Sequence, residues 1–426
     1  MLAIEPARVT RKVVRRLIPY LFICYIVNYI DRINVGYAAL EMKADLGFSD
    51  AVYGLGASMF FVGYVLFEIP SNLIMQRVGA RLWIARIMIS WGAISSCMMF
   101  VATSQSFYIL RFLLGASEAG FFPGTILYLT HWIPAKERAR AVALFLTSTA
   151  LSGVIGGPLS GLLLRLGGTH GLAGWQWLFL IEGVPAIALG IVTLFYLDDR
   201  PEQARWLAPG EREWLGGVMR AEQEEKLQRH SHTLLTALVH PKVLELCVLY
   251  FSIIISFYGV VFWLPQILKN FSGMSNFMVG LVSAVPYFIA AVAMVLIGNH
   301  SDKTGERGRH VAFSALAGSI GLALSAALQH NNPMLAFLAL CLAALGIWST
   351  LGPFWSVPTE FLSGAAAAGS IALVNSIGNV GGFVGPYVVG YFKQRTGDFT
   401  AGLFVLAATL LVGSCLALYV ARRHES

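Results

Sequence analysis

The chain has 426 residues, of which 57% are hydrophobic and only 12% are charged. Soluble globular domains carry roughly 25% charged residues, so this composition excludes a soluble globule and predicts a protein that crosses the membrane several times. The formal net charge of +7 does not indicate a nucleic-acid partner, because the basic residues stand in short clusters beside apolar segments and form no continuous face.

Twelve apolar stretches follow one another along the chain, each of about 20 residues, the length that crosses roughly 30 Å of hydrocarbon as an α-helix. They are Leu17–Ala38, Tyr53–Met75, Leu82–Ala102, Phe107–Trp132, Ala141–Leu164, Trp175–Tyr196, Val243–Phe271, Met278–Gly298, Val311–Leu328, Met334–Leu362, Ala366–Tyr391 and Ala401–Ala421. We therefore expect an all-α membrane protein with a six-helix bundle over residues 1–196, a charged cytoplasmic linker over 197–242 and a second six-helix bundle over 243–426.

The basic residues of the short loops predict the orientation, because the cytoplasmic side carries the excess of Lys and Arg. Such residues precede the first stretch, follow the second and fourth, and end the chain: Arg8, Arg11, Lys12, Arg15, Arg16, Arg77, Arg81, Lys136, Arg138, Arg140, Arg422 and Arg423. Both termini are therefore expected to be cytoplasmic, with the chain in the inner or plasma membrane. Lys393 and Arg395, on the expected outer side, are the exception.

The charged residues inside apolar stretches include two pairs, Asp31 and Arg32 in the first stretch and Arg111 and Glu118 in the fourth. A charge at membrane depth costs roughly 2.5–3.5 kcal/mol on insertion scales, so such residues usually mark a pathway or a binding site. Arg111 and Glu118 are two helical turns apart and share roughly one face. A buried carboxyl beside a cation is suited to proton exchange, and a guanidinium is suited to an organic carboxylate. The alternative is that each carboxylate forms a static ion pair.

Other carboxylates and motifs carry less functional information. Glu68 and Glu360 lie toward the cytoplasmic ends of their stretches, where we expect them to pair with loop arginines. The sequence contains no H-E-x-x-H, CxxC or G-x-x-x-x-G-K-[ST] motif. It therefore predicts no enzyme active site, no metal site and no ATP site.

The two halves of the chain repeat short motifs at matching places. Gly298, Asp302, Lys303, Gly305 and Arg307 follow the eighth stretch in GNHSDKTGER, and NLIMQRVGAR stands at the matching place in the first half. A G-x-x-x-G-P element occurs in both the fifth and the eleventh stretch. Repeated membrane bundles point to a transporter whose site lies where the repeats meet.

The loop motif resembles that of the major facilitator superfamily, G-x-x-x-D-[RK]-x-G-x-R, and makes Gly298, Asp302, Gly305 and Arg307 gating residues. The first half departs from it at Asn72 and Gln76, which puts the matching ion pair there in doubt. More narrowly, NYIDRINV, SEAGFFPG, FEIPSNL and NSIGNVGGFVGPYVVG resemble the anion:cation symporter family. Within that family, FWSVPTEFL and NSIGNVGG resemble the bacterial organic-acid branch. The resemblance implies twelve membrane helices in two pseudo-symmetric bundles. It also implies import of a small organic anion by alternating access, the anion being a sugar acid, a hydroxy-dicarboxylate or an aromatic carboxylate.

The resemblance also implies roles for individual residues. Asp31 and Glu118 become the proton-coupling carboxylates, with Arg111 beside Glu118, and Arg32 becomes the ligand of the substrate carboxylate. The further substrate-cavity positions are Tyr29, Tyr64, Thr149, Trp355 and Asn375. Thr149 stands where sugar-acid carriers have a glutamine, which predicts a different substrate.

Two alternatives remain open beside these expectations. Asn375 is equally well explained as an interhelical hydrogen bond. The G-x-x-x-G-P element also resembles one of antiporters, so anion exchange competes with symport. The expected partners are a small organic anion and the lipid bilayer, with no nucleic acid. Protons are the expected coupling ion, no other cofactor or metal is expected, and a monomer is expected to suffice.

Overall fold

The computed structural model describes residues 5–229, 241–361 and 364–425, and almost all of these residues are helical. The α-helices of the described ranges are α1 (Pro6–Asp45), α2 (Asp50–Val78), α3 (Ala80–Cys97), α4 (Ser104–Glu118), α5 (Phe121–Thr130), α6 (Ala135–Leu146), α7 (Ser148–Leu164), α8 (Gly174–Tyr196), α9 (Pro209–Arg229), α10 (Pro241–Ser272), α11 (Asn276–Thr304), α12 (Arg307–Leu328), α13 (Pro333–Phe361), α14 (Gly364–Thr396) and α15 (Thr400–Glu425).

The predicted membrane helices are present. Among the described residues, 11 helical segments are long and apolar enough to cross a membrane. The remaining predicted span is α14, which has 33 residues but contains Asn375, Asn379 and many glycines. With α14 the segments form two pseudo-symmetric six-helix bundles, α1–α8 and α10–α15, which we call the N-terminal and C-terminal bundles. The predicted fold class is confirmed.

The fourth predicted span is broken in its middle. Helix α4 ends at Glu118 and α5 begins at Phe121, because Gly120 has a φ of 89° in the left-handed region. Pro123 stands in the first turn of α5. The N–H groups of a first turn have no partner within the helix, so the missing N–H of proline costs no hydrogen bond there. The break places Glu118 at the C-terminal end of a helix inside the protein, where the helix dipole favours a cation beside it.

The two bundles meet along two helix pairs, α7 with α11 and α2 with α14. Glycines permit these contacts: a Cβ on Gly157 would meet the carbonyl oxygen of Gly280 at 2.6 Å, and one on Gly54 would meet that of Pro386 at 2.9 Å. Only small residues allow membrane helices to approach so closely. The glycines therefore bring the backbones of the two bundles together.

The charged segment after α8 folds back onto the N-terminal bundle. Within it, Glu211 of α9 accepts a hydrogen bond from Lys12 Nζ of α1 at 2.7 Å, and Glu222 accepts one from Arg138 Nη2 at 2.9 Å. These ion pairs hold α9 against the end of the bundle that carries the N-terminus. The rest of the predicted linker, residues 230–240, lies outside the described residues, and the domain limits at 196/197 and 242/243 stay predictions.

Candidate functional site

Arg32 lies at the centre of the candidate site, in the middle of α1. Its Nε donates to Glu118 Oε1 at 3.0 Å, and its Nη2 makes an ion pair with the same oxygen. Its Nη1 donates to the hydroxyl of Tyr258 in α10 at 3.0 Å. Arg32 and Glu118 are 6% and 1% exposed. The guanidinium therefore joins α1, the end of α4 and the C-terminal bundle in one buried contact.

Aromatic rings surround this guanidinium. The Cζ of Arg32 lies 5.2 Å from the centroid of the Phe60 ring and 5.3 Å from that of Tyr64, both on α2. Ring faces stabilise a desolvated cation at such distances. Tyr29, one turn before Arg32 on α1, is also buried, and its hydroxyl makes no hydrogen bond to a described residue. The predicted positions Tyr29, Tyr64 and Arg32 thus lie in one region.

Asp31 faces a different side of α1 from Arg32. Its Oδ1 accepts hydrogen bonds from Ser95 Oγ of α3 and, at 3.0 Å, from Asn34 Nδ2. Glu182 of α8 lies near the same group of polar side chains, is 4% exposed and accepts a hydrogen bond from Ser160 Oγ at 2.8 Å. Neither carboxylate forms an ion pair with a described residue. Asp31 and Glu182 therefore form a buried polar cluster inside the N-terminal bundle, apart from the Arg32 ion pair.

Arg111 is fully buried but is not the ion-pair partner of Glu118. Its Nη2 donates to the carbonyl oxygen of Ala57 at 3.2 Å, and its Cζ lies 5.1 Å from the Phe60 ring centroid. Its Nε and Nη1 have no hydrogen-bond partner among the described residues. Arg32, which comes from another helix, holds Glu118 instead. The guanidinium groups of Arg111 and Arg32 thus both contact the ring of Phe60 in α2.

The C-terminal bundle supplies Trp355 and Asn375. The ring of Trp355 contacts Tyr250 of α10 edge-on, at 4.8 Å between centroids. Asn375 Nδ2 donates to Glu68 Oε1 of α2 at 2.7 Å, and Glu68 is 5% exposed. The expectation that Glu68 pairs with a loop arginine is therefore wrong, because α2 packs against α14 and buries Glu68 there. The side chain of Glu360 lies outside the described residues.

Thr149 does not contact the other predicted site residues through its hydroxyl. It lies near the start of α7, is 9% exposed, and its Oγ1 donates to the carbonyl oxygen of Leu146 in the preceding turn at 2.9 Å. This local bond to the last residue of α6 satisfies the hydroxyl. A glutamine there would have a longer side chain with free donors.

The repeated loop motif is intact in the C-terminal bundle and altered in the N-terminal bundle. Arg307 Nη1 donates to Asp302 Oδ1 at 3.2 Å, and Gly305 ends α11 with a φ of 72°; Gly298 precedes them on that helix. At the matching turn of the first half, the backbone N–H of Arg81 donates to Asp199 Oδ1 at 2.8 Å. A carboxylate from the segment after α8 therefore binds the turn that lacks the motif aspartate.

Both bundles close against each other where α1 ends and α2 begins. We call this the outer end, because the loop charges predict that it faces outward. There Tyr53 donates to the carbonyl oxygen of Phe262 at 2.7 Å, and Trp263 Nε1 donates to that of Pro386 at 3.0 Å. The first bond joins α2 of the N-terminal bundle to α10 of the C-terminal bundle, and the second joins α10 to α14 within the C-terminal bundle.

The model of the Major Facilitator Superfamily matches residues 21–386. The chain belongs to the major facilitator superfamily. A protein named "Putative tartrate transporter" from Agrobacterium vitis is 51% identical over 98% of this chain and 92% of its own length. "Quinolone resistance transporter" from Acinetobacter baumannii is 42% identical over 98% and 96%, and "Inner membrane transport protein RhmT" from Escherichia coli K12 is 39% identical over 94% and 92%.

Solved structures of this superfamily share the fold. A bacterial homologue of the human lysosomal transporter Spinster, described as inward-facing and occupied, has a TM-score of 0.76 at 18% identity and covers 99% of this chain and 98% of its own. The xylose transporter XylE from Escherichia coli has a TM-score of 0.72 at 15% identity, over 96% and 97%. The chain is thus a multi-pass membrane transporter and not an enzyme.

Sequence analysis did not assign three residues to this site. Tyr258 and Glu68 contact Arg32 and Asn375, and Glu182 lies near Asp31. For the carboxylates the signal was present, since each stands in an apolar stretch. For Tyr258 the signal was weak: Tyr250 and Tyr258 stand eight residues apart on one face of an apolar helix, a pattern that core packing explains equally well.

Proposed function

We propose that the chain is a proton-coupled secondary transporter that imports a small organic anion by alternating access. The observation that supports this most strongly is the buried ion pair of Arg32 and Glu118, which Tyr258 of the opposite bundle also contacts. A cation buried where the two bundles meet is placed to bind an anion in either orientation of the carrier.

The ion pair provides a physical link between the proton and the anion. Ionised Glu118 occupies Nε and Nη2 of Arg32, two nitrogens through which a guanidinium can bind a carboxylate. A proton on Glu118 removes most of the attraction and leaves the buried guanidinium without an anion, which is unfavourable. A substrate carboxylate then replaces Glu118. Protonation of Glu118 and binding of the anion at Arg32 therefore favour each other.

Asp31 is the second proposed coupling carboxylate. It is buried without a basic partner among the described residues and accepts hydrogen bonds from Ser95 and Asn34. A charge that is stabilised by donors alone at this depth is costly. We therefore assign Asp31 a proton that it gains and loses during the cycle, while Arg111 supports the aromatic ring on which Arg32 lies.

A hydroxy-dicarboxylate is the first substrate candidate, because the name of the relative with 51% identity refers to tartrate. Sugar acids and aromatic carboxylates are the other candidates. Tyr29, Tyr64, Trp355 and Asn375 would supply hydroxyl, indole and amide groups to such an acid. Thr149, which is shorter than glutamine, would leave room beside them.

The proposed setting is the inner or plasma membrane, with both termini and the linker in the cytoplasm and the outer end facing outward. The Asp302–Arg307 pair would then lie on the cytoplasmic side and support closure there. One chain carries both bundles, so we propose that a monomer suffices.

Exchange of one organic anion for another is the second candidate. The same ion pair would support it if substrate alone, without a proton, displaced Glu118 from Arg32. The two functions predict different driving forces for uptake, which makes them separable.

Uptake into proteoliposomes tests the proposal. A panel of sugar acids, dicarboxylates including tartrate, aromatic acids and a quinolone is supplied with and without a proton gradient, acid outside. We expect accumulation of at least one acid that stops with a protonophore and in the Asp31→Asn variant. Uptake that does not depend on the proton gradient but requires a preloaded internal anion would establish exchange instead.

A further inference from the structure

A cavity of about 440 Å³ opens at the outer end between the two bundles. Lys43 of α1, Lys269 of α10 and Lys393 of α14 all line it, together with the amides Gln266 and Asn270. No carboxylate is among the lining residues. Three lysines from three helices therefore line one concave space.

The counter-charge beside this cavity is incomplete. Asp50 of α2 forms ion pairs with both Lys43 and, at 3.5 Å, Lys393. Lys269 Nζ donates to the backbone oxygen of Met274. Glu41 of α1 also lies close enough to Lys269 to interact with it electrostatically. Three lysines against Asp50 and Glu41 leave a formal excess of one positive charge. The side chains of Lys43 and Lys393 are only 18% and 16% exposed, so water screens this excess incompletely.

The chemistry of the lining fits a carboxylate. Gln266 is 6% exposed, accepts a hydrogen bond from Lys43 at 2.9 Å, and its Nε2 makes no hydrogen bond of normal geometry within the described residues. An anion would receive charge-assisted hydrogen bonds from the ammonium groups and further donors from the amides. Lys393 is also one of the two basic residues that lie on the expected outer side, although most Lys and Arg of the loops lie on the cytoplasmic side.

We propose that this cavity is an anion-capture site, which binds a carboxylate of the transported class at the outer end before that end opens. The assignment of the ligand class and of the outward face rests on the proposed function. The captured carboxylate competes with Asp50 for Lys43 and Lys393. Because Asp50 and Lys393 belong to different bundles, binding weakens a link that holds the outer end closed.

Trp263 provides a local reporter for this site. The Nζ atoms of Lys43 and Lys393 each lie 5.7 Å from the Trp263 ring centroid. A carboxylate that binds these ammonium groups changes the electrostatic surroundings of the indole and hence its fluorescence. The difference between the chain and its Trp263→Phe variant isolates this signal from the other tryptophans.

The test uses an Arg32→Gln, Glu118→Gln background, which removes the central ion pair without leaving either partner charged. Sodium L-tartrate is titrated at constant ionic strength into the purified full chain. We expect a saturable change that depends on Trp263, with affinity about fivefold to tenfold weaker in Lys269→Gln. Lys269→Arg should retain it, and Arg395→Gln, which removes a charge from the end of α14 outside the cavity, should leave it unchanged.

Three results would overturn the capture site: no Trp263-dependent change, an equal response to sodium chloride, or equal effects of Lys269→Gln and Arg395→Gln. The readout requires no transport. A failure of proteoliposome uptake would therefore count against the proposed function alone, and a failure here would count against the capture site alone.

Discussion

Arg32 is held by three kinds of contact: an ion pair with Glu118, a hydrogen bond to Tyr258, and the ring faces of Phe60 and Tyr64. Each uses a different property of the guanidinium, namely its charge, its fixed fork of donors and its flat surface. An ammonium group would keep the charge alone. This position therefore requires an arginine, and a positive charge alone does not replace its contacts.

We predict that Arg32→Lys weakens binding of the transported acid about 10- to 100-fold, because a lost charge-assisted hydrogen bond costs about 1.5–3 kcal/mol. Isothermal titration calorimetry on the purified protein measures this. Arg86→Lys is the matched control, since Arg86 stacks on Trp83 of its own helix at 3.9 Å and should leave affinity unchanged. Equal affinity in Arg32→Lys would contradict the assigned role.

Single residues show what the sequence could and could not predict at the site. Asp31, Arg32, Arg111 and Glu118 are recognisable as charges in apolar stretches, but their partners are not. Neighbouring residues of a helix point about 100° apart, so Asp31 reaches Ser95 while Arg32 reaches Glu118. Such pairings depend on how each helix is rotated and packed, and the hydrophobic pattern of the sequence does not predict this.

The break between α4 and α5 is the element whose shape matters most for the site. The predicted span Phe107–Trp132 was continuous, yet SEAGFFPG contains Gly120 and Pro123, the residue types that interrupt helices. Length and hydropathy predict that a segment crosses the membrane but do not predict whether it does so as one helix. The break ends α4 at Glu118 and so directs this carboxylate toward Arg32.

We predict that Gly120→Ala lowers the free energy of unfolding by more than Gly168→Ala does. Both glycines have a φ near 90°, so both substitutions carry about 1–2 kcal/mol of backbone strain. A Cβ at Gly120 would also clash with Ser71 Oγ, whereas nothing lies within 4 Å of one at Gly168. Thermal unfolding in detergent compares the two, and equal losses would show that the Gly120 turn is not tightly packed.

The linker helix α9 supplies a prediction on pH. The hydrogen bond from Lys12 lowers the pKa of Glu211 below its ordinary value of 4.5. A lowered pKa in the folded state means that this contact stabilises the docked helix above pH 4.5 and loses its effect as the pH falls through the folded-state value. We expect amide exchange in α9, corrected for intrinsic rates, to accelerate as the pH falls below 4.5. Lys12→Met should reduce this dependence, while the backbone N–H of Ala208 still donates to Glu211. An unchanged profile in that variant would contradict the assignment.

At the scale of the whole molecule, two six-helix bundles are closed against each other at the outer end. The repeat of the sequence predicted both bundles, because apolar length and repeated loop motifs are local signals. The sequence did not predict which ends of the bundles are closed, since that depends on contacts between residues more than 200 positions apart. Tyr53 with Phe262 and Glu41 with Asn276 are such contacts.

We predict that a cross-link across the outer end abolishes uptake. Asn276 of α11 donates to Glu41 of α1 at 2.9 Å. A short bis-methanethiosulfonate reagent can therefore join Glu41→Cys to Asn276→Cys through two disulfides, in a chain whose five cysteines are replaced by alanine. Reduction should restore uptake. The same reagent on Thr103→Cys with Ser106→Cys joins residues of one bundle only and should leave uptake intact. Full activity of the cross-linked Glu41–Asn276 pair would contradict closure at the outer end.

Proton movement coupled to the anion tests the central claim most directly. Proteoliposomes with a pH-sensitive dye inside receive the transported acid outside, without an imposed gradient. The account predicts internal acidification with the unmodified chain. It predicts none with Glu118→Gln, which keeps the volume of the side chain but no exchangeable proton, while exchange of labelled for unlabelled acid persists. Acidification that survives in Glu118→Gln, or its absence in the unmodified chain during active uptake, would contradict proton coupling through the Arg32–Glu118 pair.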